Sequence, residues 1–304
     1  MLDASRESRS SRAWHSLIGL SIGDAYGSLF FYPGSQPGDD PAHHPAPPPP
    51  WPWTDDTEMA CSVVASLFTY DGIDQDALAI DFAERCEPYR GYGPGAVQLL
   101  HRIRDGEPWR ELAAAAYDGQ GSCGNGAAMR VPPIGAYFAD APARAATEAA
   151  RSAVVTHTHP EAVAGAVAVA VATAHAVRGT RDLLGAVAAA LPPGEVRAGV
   201  LRAHRLGSDA SVTEAVETLG NGSRLTCQDT VPFCLWVAKR HADDFAAALR
   251  TCVRAGGDMD TTGAIVGGIV GAALEADDVP EEWLASREPL PSWIGPPTTA
   301  VAQA

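Results

Sequence analysis

Paired aspartates and threonine hydroxyls occur together in two short segments of the chain. The first is Thr54-Asp55-Asp56-Thr57 and the second is Asp258-Met259-Asp260-Thr261, and each directly precedes an apolar helical stretch. Residues of these types often cap helices, because their side-chain oxygens accept the amide hydrogens of the first turn. Carboxylate and hydroxyl oxygens are also the ligands that Mg²⁺, Mn²⁺ and Ca²⁺ prefer, whereas zinc favours His and Cys. Each segment alone therefore fits either a helix cap or half of a metal site.

The two aspartate segments gain a shared meaning if they meet in space. Four carboxylates would then crowd one site, and each close pair would repel by about 4 kcal/mol at a separation of about 4 Å and an effective dielectric constant of about 20. Two divalent cations would offset that repulsion and would bring a water of low pKa and a Lewis acid to one place. Because the segments lie roughly 200 residues apart, this hypothesis requires both halves of the chain to share one core.

A glycine-rich segment, Gly121-Ser122-Cys123-Gly124-Asn125-Gly126, precedes another helical pattern that begins before Arg130. Three glycines within six residues allow backbone amides to approach a diphosphate, and the following helix directs its dipole at the same anion. The segment is not a Walker loop, because no Gly-Lys-Ser/Thr follows, and not a dinucleotide fingerprint, because no strand precedes it. An ordinary tight turn is the alternative.

Two histidines, His157 and His159, stand two residues apart ahead of a further helix. A metal site built on them would need a cysteine or a third histidine close by in the sequence, and neither is present there. We therefore expect a polar contact to a ligand or a structural hydrogen bond.

Helical periodicity runs through most of the chain. Early patterns cover Trp14 to Tyr26 and Glu58 to Tyr70, and alanine, the best helix former, dominates most later ones. No alternating apolar and polar run is long enough to predict a strand. Proline crowds residues 33–53, which we interpret as a surface loop or lid of polyproline character. The sequence predicts a compact, all-α, single-domain bundle over residues 12–285, with a flexible N-terminus at residues 1–11 and a proline-rich tail at residues 286–304.

Composition sets limits on the partners of this protein. Its 304 residues include 46% hydrophobic and 19% charged residues, which is ordinary globular usage. The net charge of −15 disfavours nucleic acid and anionic membranes, so an anionic ligand must be held by metal ions, a helix terminus or a glycine-rich turn. The six cysteines form no CxxC pair, no apolar secretory segment precedes them, and the apolar stretches are shorter than the ~20 residues that span a bilayer. We expect reduced thiols, a cytoplasmic location and no membrane partner.

Six segments taken in chain order resemble the ADP-ribosylglycohydrolase family, which includes the dinitrogenase reductase-activating glycohydrolases and the ADP-ribosyl-acceptor hydrolases. The resemblance spans roughly residues 19–275. The pairing of the two aspartate segments in this order is its most specific part. The six segments are GLSIGDAYG from Gly19, TDDT from Thr54, GSCGNGAAMR from Gly121, THTHPEAVAGA from Thr156, TVPF from Thr230 and GGDMDTTGAIVGGIVGA from Gly256.

The resemblance implies an all-α fold with two divalent cations, Mg²⁺ being favoured over Mn²⁺. The metal ligands that it implies are Thr54, Asp55, Asp56, Asp258, Asp260 and Thr261. The ADP-ribose contacts that it implies are Ser122, Cys123, Gly124, Asn125, Gly126 and His157. The implied activity is hydrolysis of the C1″ glycosidic bond of an ADP-ribosylated substrate, with release of ADP-ribose.

Two positions depart from the family pattern. Many members carry a glutamate implicated in catalysis shortly after Gly-Asp-Ala-x-Gly, where this chain has Ser28-Leu29-Phe30-Phe31. Some members carry an aspartate before a glycine after the third helix, where this chain has Arg90-Gly91-Tyr92-Gly93. Phe31 either stacks on an aromatic acceptor or forms part of the pocket wall.

The missing glutamate leaves Asp56 and Asp258 as candidate general bases, because glycoside hydrolysis needs a carboxylate near the attacking water. A non-catalytic ADP-ribose-binding protein and a crystallin-like structural protein are the alternatives to an enzyme. The acceptor in the substrate is arginine, serine, a nucleobase or a small ester such as O-acetyl-ADP-ribose.

Overall fold

The structure, a computed structural model, describes residues 4–31, 48–274 and 278–297. These residues form fifteen α-helices and no strand, apart from two isolated bridges, so the predicted all-α fold is confirmed. The helices are α1 (Ala4–Ser28), α2 (Asp55–Tyr70), α3 (Gln75–Arg85), α4 (Pro94–Arg104), α5 (Trp109–Ala115), α6 (Pro132–Tyr137), α7 (Pro142–Val154), α8 (Pro160–Val177), α9 (Leu183–Ala190), α10 (Glu195–Leu206), α11 (Val212–Leu219), α12 (Cys227–Arg240), α13 (Phe245–Ala255), α14 (Met259–Ala273) and α15 (Glu281–Ser286).

Helices α1 and α14 pack backbone against backbone at the centre of the molecule. A Cβ added to Gly23 of α1 would overlap the carbonyl oxygen of Gly263 in α14, and one added to Gly19 would overlap that of Gly267. The third contact of this series is between Gly27 and the carbonyl oxygen of Met259. Only glycine permits so close an approach, which brings the start of α14 against the end of α1.

The described part of the N-terminal segment, which the sequence predicts to be flexible, forms the start of a helix that contacts α2. Helix α1 begins at Ala4. The guanidinium of Arg6 donates to the carbonyl oxygen of Phe68 at 2.7 Å, and Arg9 forms an ion pair with Asp71 at 3.3 Å. Both acceptors lie at the end of α2, where free carbonyls and the negative end of the helix dipole attract cations.

The segment after α15, which the sequence predicts to be a proline-rich tail, contacts the rest of the domain. The amide of Glu288 donates to Trp51 O at 2.8 Å, and the Glu288 carboxylate accepts from Arg90 at 2.8 Å. Trp51 and Trp53 of the proline-rich segment are buried and belong to the core, whereas residues 48–50 and Pro52 are exposed. The interpretation of residues 33–47 as a surface loop or lid lies outside the described residues.

Helix α8 has the length and composition of a membrane span, yet 67% of that span is buried within the protein. Such burial is typical of a core helix. Five of the six cysteines are buried free thiols, and Cys123 is partly exposed.

Candidate metal and ligand site

Asp24 connects α1 to the first aspartate segment. It is completely buried and accepts four hydrogen bonds. Two come from Thr54, through its amide at 2.9 Å and its hydroxyl at 2.7 Å, and two come from Thr57, through its amide at 3.2 Å and its hydroxyl at 2.5 Å. These bonds fix the first turn of α2, and with it the positions of Asp55 and Asp56.

Asp24 was not among the predicted site residues. A single aspartate within an apolar helical pattern carries little signal on its own. The glycines four residues apart on either side of it, Gly19, Gly23 and Gly27, were the available clue, because they place Asp24 beside α14.

The second aspartate segment is not a simple helix cap. Asp258 occupies the N-cap position of α14, but its side chain makes no capping hydrogen bond. Its Oδ2 instead accepts from the side-chain amide of Asn125 at 2.7 Å. Thr54, in contrast, does cap α2 by accepting from the Asp56 amide, although at 3.4 Å.

The two aspartate segments meet in space. The hydroxyl of Thr261 donates to Asp56 Oδ2 at 3.5 Å across a sequence separation of 205 residues. Asp24, Asp56 and Asp260 each contribute an oxygen to a group in which all three lie within 4.8 Å of one another. Helices α1, α2 and α14 therefore each supply a carboxylate to one place.

We call Asp24, Asp56 and Asp260, together with the neighbouring Asp55 and Asp258, the carboxylate cluster. Its chemistry fits a hard divalent cation. Asp56 Oδ1 is buried and has no hydrogen-bond partner in the described part of the chain. An ionised oxygen buried without a donor is costly unless a cation faces it. Every side chain in the group offers oxygen, which Mg²⁺ and Mn²⁺ prefer.

The electrostatics of the carboxylate cluster agree with this assignment. Burial raises the pKa of Asp55 to about 8, with a further contribution from the neighbouring Asp24. Burial also raises the pKa of Asp24 itself to about 6. The pKa values of Asp56 and Asp260 lie well above the ordinary value, first through burial and then through Asp24 and Asp258 respectively. Without cations, the cluster thus resists full ionisation.

Chelation is therefore expected to lower the melting temperature, and to lower it more as the pH rises. The pKa values of Asp55 and Asp24 are raised above 3.8, so the stability gained from their protonation is complete below that pH and is lost as the pH rises through about 6 and about 8. Melting curves in EDTA and in excess Mg²⁺, recorded from about pH 5 to about pH 8, measure this. A melting temperature that EDTA leaves unchanged at every pH would contradict a cation site.

Backbone hydrogen bonds connect the glycine-rich segment to the residues at the start of α12. The amide of Asn125 donates to Leu225 O at 3.0 Å, and the amide of Cys227 donates to Cys123 O at 3.1 Å. Together with the bond from the Asn125 side chain to Asp258, these contacts fix the segment beside the carboxylate cluster. The side-chain amide of Asn125 is thus already engaged by protein.

A cavity of about 690 Å³ joins the glycine-rich segment to the carboxylate cluster. Its walls include five of the six residues predicted as metal ligands and five of the six predicted as ADP-ribose contacts. Thr54 and Cys123 are not in the described lining: Thr54 is bonded to Asp24, and Cys123 contributes its carbonyl to the contact with Cys227. The predicted residues that line the cavity are Asp55, Asp56, Asp258, Asp260, Thr261, Ser122, Gly124, Asn125, Gly126 and His157.

The three glycines of the segment have different roles. Gly121 has a left-handed φ of 75°, and a Cβ there would overlap the Thr158 hydroxyl, so it is required by the turn. Gly124 has an ordinary φ of −59°. A Cβ on Gly124 would lie 3.2 Å from His157 Nε2, and one on Gly126 would lie 3.0 Å from His157 Cε1. Gly124 and Gly126 therefore keep open the space between the segment and His157.

The second histidine is structural. Nδ1 of His159 accepts from the Glu161 amide at 3.1 Å and caps α8. A structural hydrogen bond was one of the two roles expected for these histidines.

Neither departure from the family pattern introduces a substitute acid. Phe31 is 48% exposed. Arg90 pairs with Glu288, and its guanidinium lies 3.4 Å from the centre of the Trp53 ring. Gly91 lies close to Asp55: a Cβ added to Gly91 would be 3.5 Å from Asp55 Oδ1. The nearby buried carboxylate of Glu58 accepts from Tyr92 Oη at 2.7 Å and from the Glu87 amide at 3.1 Å, which are structural bonds.

Comparison with known proteins agrees with this fold. The family model for ADP-ribosylglycohydrolase matches residues 5–300. The human ADP-ribosylhydrolase ARH3 is 30% identical over 274 residues, which covers 78% of this chain and 74% of the human protein. The ADP-ribosyl-[dinitrogen reductase] glycohydrolase of Rhodospirillum rubrum is 26% identical over 288 residues and covers 91% and 90%. A solved structure described as an ADP-ribosylglycohydrolase-related protein complex shares the fold, with a TM-score of 0.65, 24% identity and coverage of 92% and 93%.

The fold and the site together define an all-α protein with a buried carboxylate cluster at one end of a cavity. The chain belongs to the ADP-ribosylglycohydrolase family. The predicted family and the predicted class of enzyme, a glycohydrolase, are confirmed.

Proposed function

We propose that this protein is a divalent-cation-dependent hydrolase that cleaves the C1″ glycosidic bond of ADP-ribosylated substrates and releases ADP-ribose. The observation that carries the proposal is the buried Asp56 Oδ1, which has no donor among the described residues, within a carboxylate cluster that opens onto a cavity. The glycine-rich wall of the same cavity suits a diphosphate. The names of the relatives support ADP-ribose as the ligand.

The residues that would hold two cations are Thr54, Asp55, Asp56, Asp258, Asp260 and Thr261, with Asp24 as a further carboxylate of the cluster. Mg²⁺ is favoured over Mn²⁺ as the ion present. When bound, the cations supply a Lewis acid and a water of lowered pKa.

The protein's own groups orient the substrate and receive the proton. The diphosphate is taken to lie against the glycine-rich segment, which lines the cavity and holds an anion that the net charge of −15 would otherwise repel. Asp258 is favoured over Asp56 as the general base, because it is only partly buried and is oriented by Asn125, whereas Asp56 is 1% exposed. The carboxylate of Asp258 then accepts the proton of the attacking water.

A substrate panel tests the proposed function. ADP-ribosyl-arginine, ADP-ribosyl-serine, an ADP-ribosylated nucleobase and O-acetyl-ADP-ribose are each incubated with the protein in Mg²⁺ and in EDTA, and released ADP-ribose is quantified. We expect turnover of at least one substrate, in Mg²⁺ only. Binding of ADP-ribose without turnover of any substrate would assign the protein as an ADP-ribose-binding protein, and absence of binding would overturn both functions.

A further inference from the structure

Arg130 is a buried cation without an acidic partner. Its side chain is 0% exposed, and no carboxylate of the described residues lies within ion-pair distance of it. Its guanidinium lies 4.5 Å from the centre of the Phe82 ring. Burial of an unpaired charge is costly, so its presence here calls for a compensating role.

The hydrogen bonds of Arg130 reach two residues of the cavity wall, Gly126 and Thr156. Its guanidinium donates to Gly126 O at 3.3 Å, to Ser152 O at 2.8 Å and to Thr156 Oγ1 at 3.0 Å. Arg130 itself is not part of the described cavity wall, so it lies behind the glycine-rich segment and does not contact a ligand directly.

The hydroxyl of Thr156 links Arg130 to His157 through two hydrogen bonds. Because Thr156 Oγ1 accepts from Arg130, its own hydrogen is available to His157 Nδ1, which lies 2.7 Å away. An Nδ1 that accepts cannot carry a proton, so the proton of a neutral imidazole resides on Nε2. Burial, with a smaller contribution from Arg130, lowers the pKa of His157 to about 3, which keeps the ring neutral.

The Nε2 of His157 faces the glycine-rich segment. It lies 3.2 Å from the Cβ positions of both Gly124 and Gly126. These two positions carry no side chain, so the N–H on Nε2 is directed at the cavity between them. It is a donor of fixed direction, next to the backbone amides of the segment.

We propose that Arg130 and Thr156 are positioning residues that hold His157 as the neutral Nε2–H tautomer, so that it donates one hydrogen bond to a phosphate oxygen of the ligand. The guanidinium adds a positive potential behind the segment, which favours an anionic group there. This inference rests on the proposed function, since the anion is taken to be the diphosphate of ADP-ribose.

The test compares Thr156→Val with Thr156→Ser, and uses Thr173→Val as the matched control. Thr173 is also buried, and its hydroxyl donates to Val169 O within α8. Each protein is titrated calorimetrically, in Mg²⁺, with ADP-ribose and with the uncharged ligand adenosine. We expect Thr156→Val to weaken ADP-ribose binding about tenfold, which is ~1.4 kcal/mol, and to leave adenosine binding unchanged. Thr156→Ser and Thr173→Val are expected to bind both ligands like wild type.

A spectroscopic readout judges the tautomer independently of ligand binding. The ¹⁵N side-chain resonances of His157 in the wild-type protein are expected to show a protonated Nε2 and an unprotonated Nδ1, and Thr156→Val is expected to lose this single form. A protonated Nδ1 in wild type would overturn the inference even if no variant folds. Parallel loss of ADP-ribose and adenosine binding in Thr156→Val would mean a structural role and would also overturn it. If wild type binds no ADP-ribose, the proposed function fails, while the tautomer assignment is still decided by the spectrum.

Discussion

Asp56→Asn and Asp260→Asn are each expected to lose bound metal and to lower kcat by about a thousandfold, or ~4 kcal/mol. Asp56 Oδ1 has no donor among the described residues, and Asp260 completes the same group of carboxylates. An amide is close in size to a carboxylate but brings no negative charge to a cation, so the loss is chemical and not steric. Metal content by mass spectrometry of the purified variants and turnover in Mg²⁺ measure the two effects.

A matched control variant and an opposite effect on thermal stability in EDTA also test this prediction. Glu148→Gln changes another largely buried carboxylate, which accepts from the Ile73 amide and pairs with Arg151, and it should keep both metal and activity. In EDTA, Asp56→Asn should melt at a higher temperature than wild type, because it removes one of several mutually repelling carboxylates. Two ions still bound to Asp56→Asn would contradict the proposed ligand set.

Gly124→Val is expected to weaken ADP-ribose binding at least about tenfold, or ~1.4 kcal/mol, and to leave the metal content unchanged. The backbone of Gly124 has an ordinary φ, so valine meets no left-handed strain there. Its Cβ would lie 3.2 Å from both His157 Nε2 and Ser122 Oγ, and its methyl groups would occupy the space proposed for the diphosphate. Calorimetric titration with ADP-ribose in Mg²⁺ measures the loss.

Valine substitutions at two other glycines serve as controls for Gly124→Val, one expected to be neutral and one expected to be disruptive. Gly295→Val should be neutral, since nothing lies within 4 Å of its Cβ position. Gly121→Val should disturb the whole segment, because it adds both a left-handed φ and an overlap with Thr158. If Gly124→Val binds ADP-ribose within about threefold of wild type, ~0.7 kcal/mol, the segment is only a turn.

The sequence predicts those parts of the site whose residues occur together in short segments. The oxygen-rich residues around Asp56 and Asp260 and the glycines around Asn125 are local patterns, and the structure brings both to one cavity. The choice between capping and ligation was not decidable from the sequence, because it depends on side-chain direction. The side chain of Thr54 does cap α2. The side chain of Asp258, at the N-cap position of α14, makes no capping hydrogen bond and instead accepts from Asn125.

The sequence predicts less well what depends on distant partners. Asp24 and Arg130 look like single polar residues within helical patterns, and only tertiary contacts show that one anchors α2 and the other supports His157 through Thr156. The N-terminal residues looked flexible because they are polar, yet Arg6 and Arg9 find acceptors at the end of α2. A charged segment is ordered when such partners exist, and composition does not reveal them.

The glycine contact between α1 and α14 has a consequence for the synthesis of the protein. The ribosome makes α1 first, and α14 is the fourteenth helix of the described chain to emerge. Until residues 259–273 have been made, the glycine face of α1 lacks its partner and Asp24 lacks the carboxylate of Asp260. Contacts between such distant parts of a chain form late, after the intervening helices are in place. The carboxylate cluster therefore cannot be completed before α14 has been made, and a nascent chain that stops short of α14 contains only one half of it.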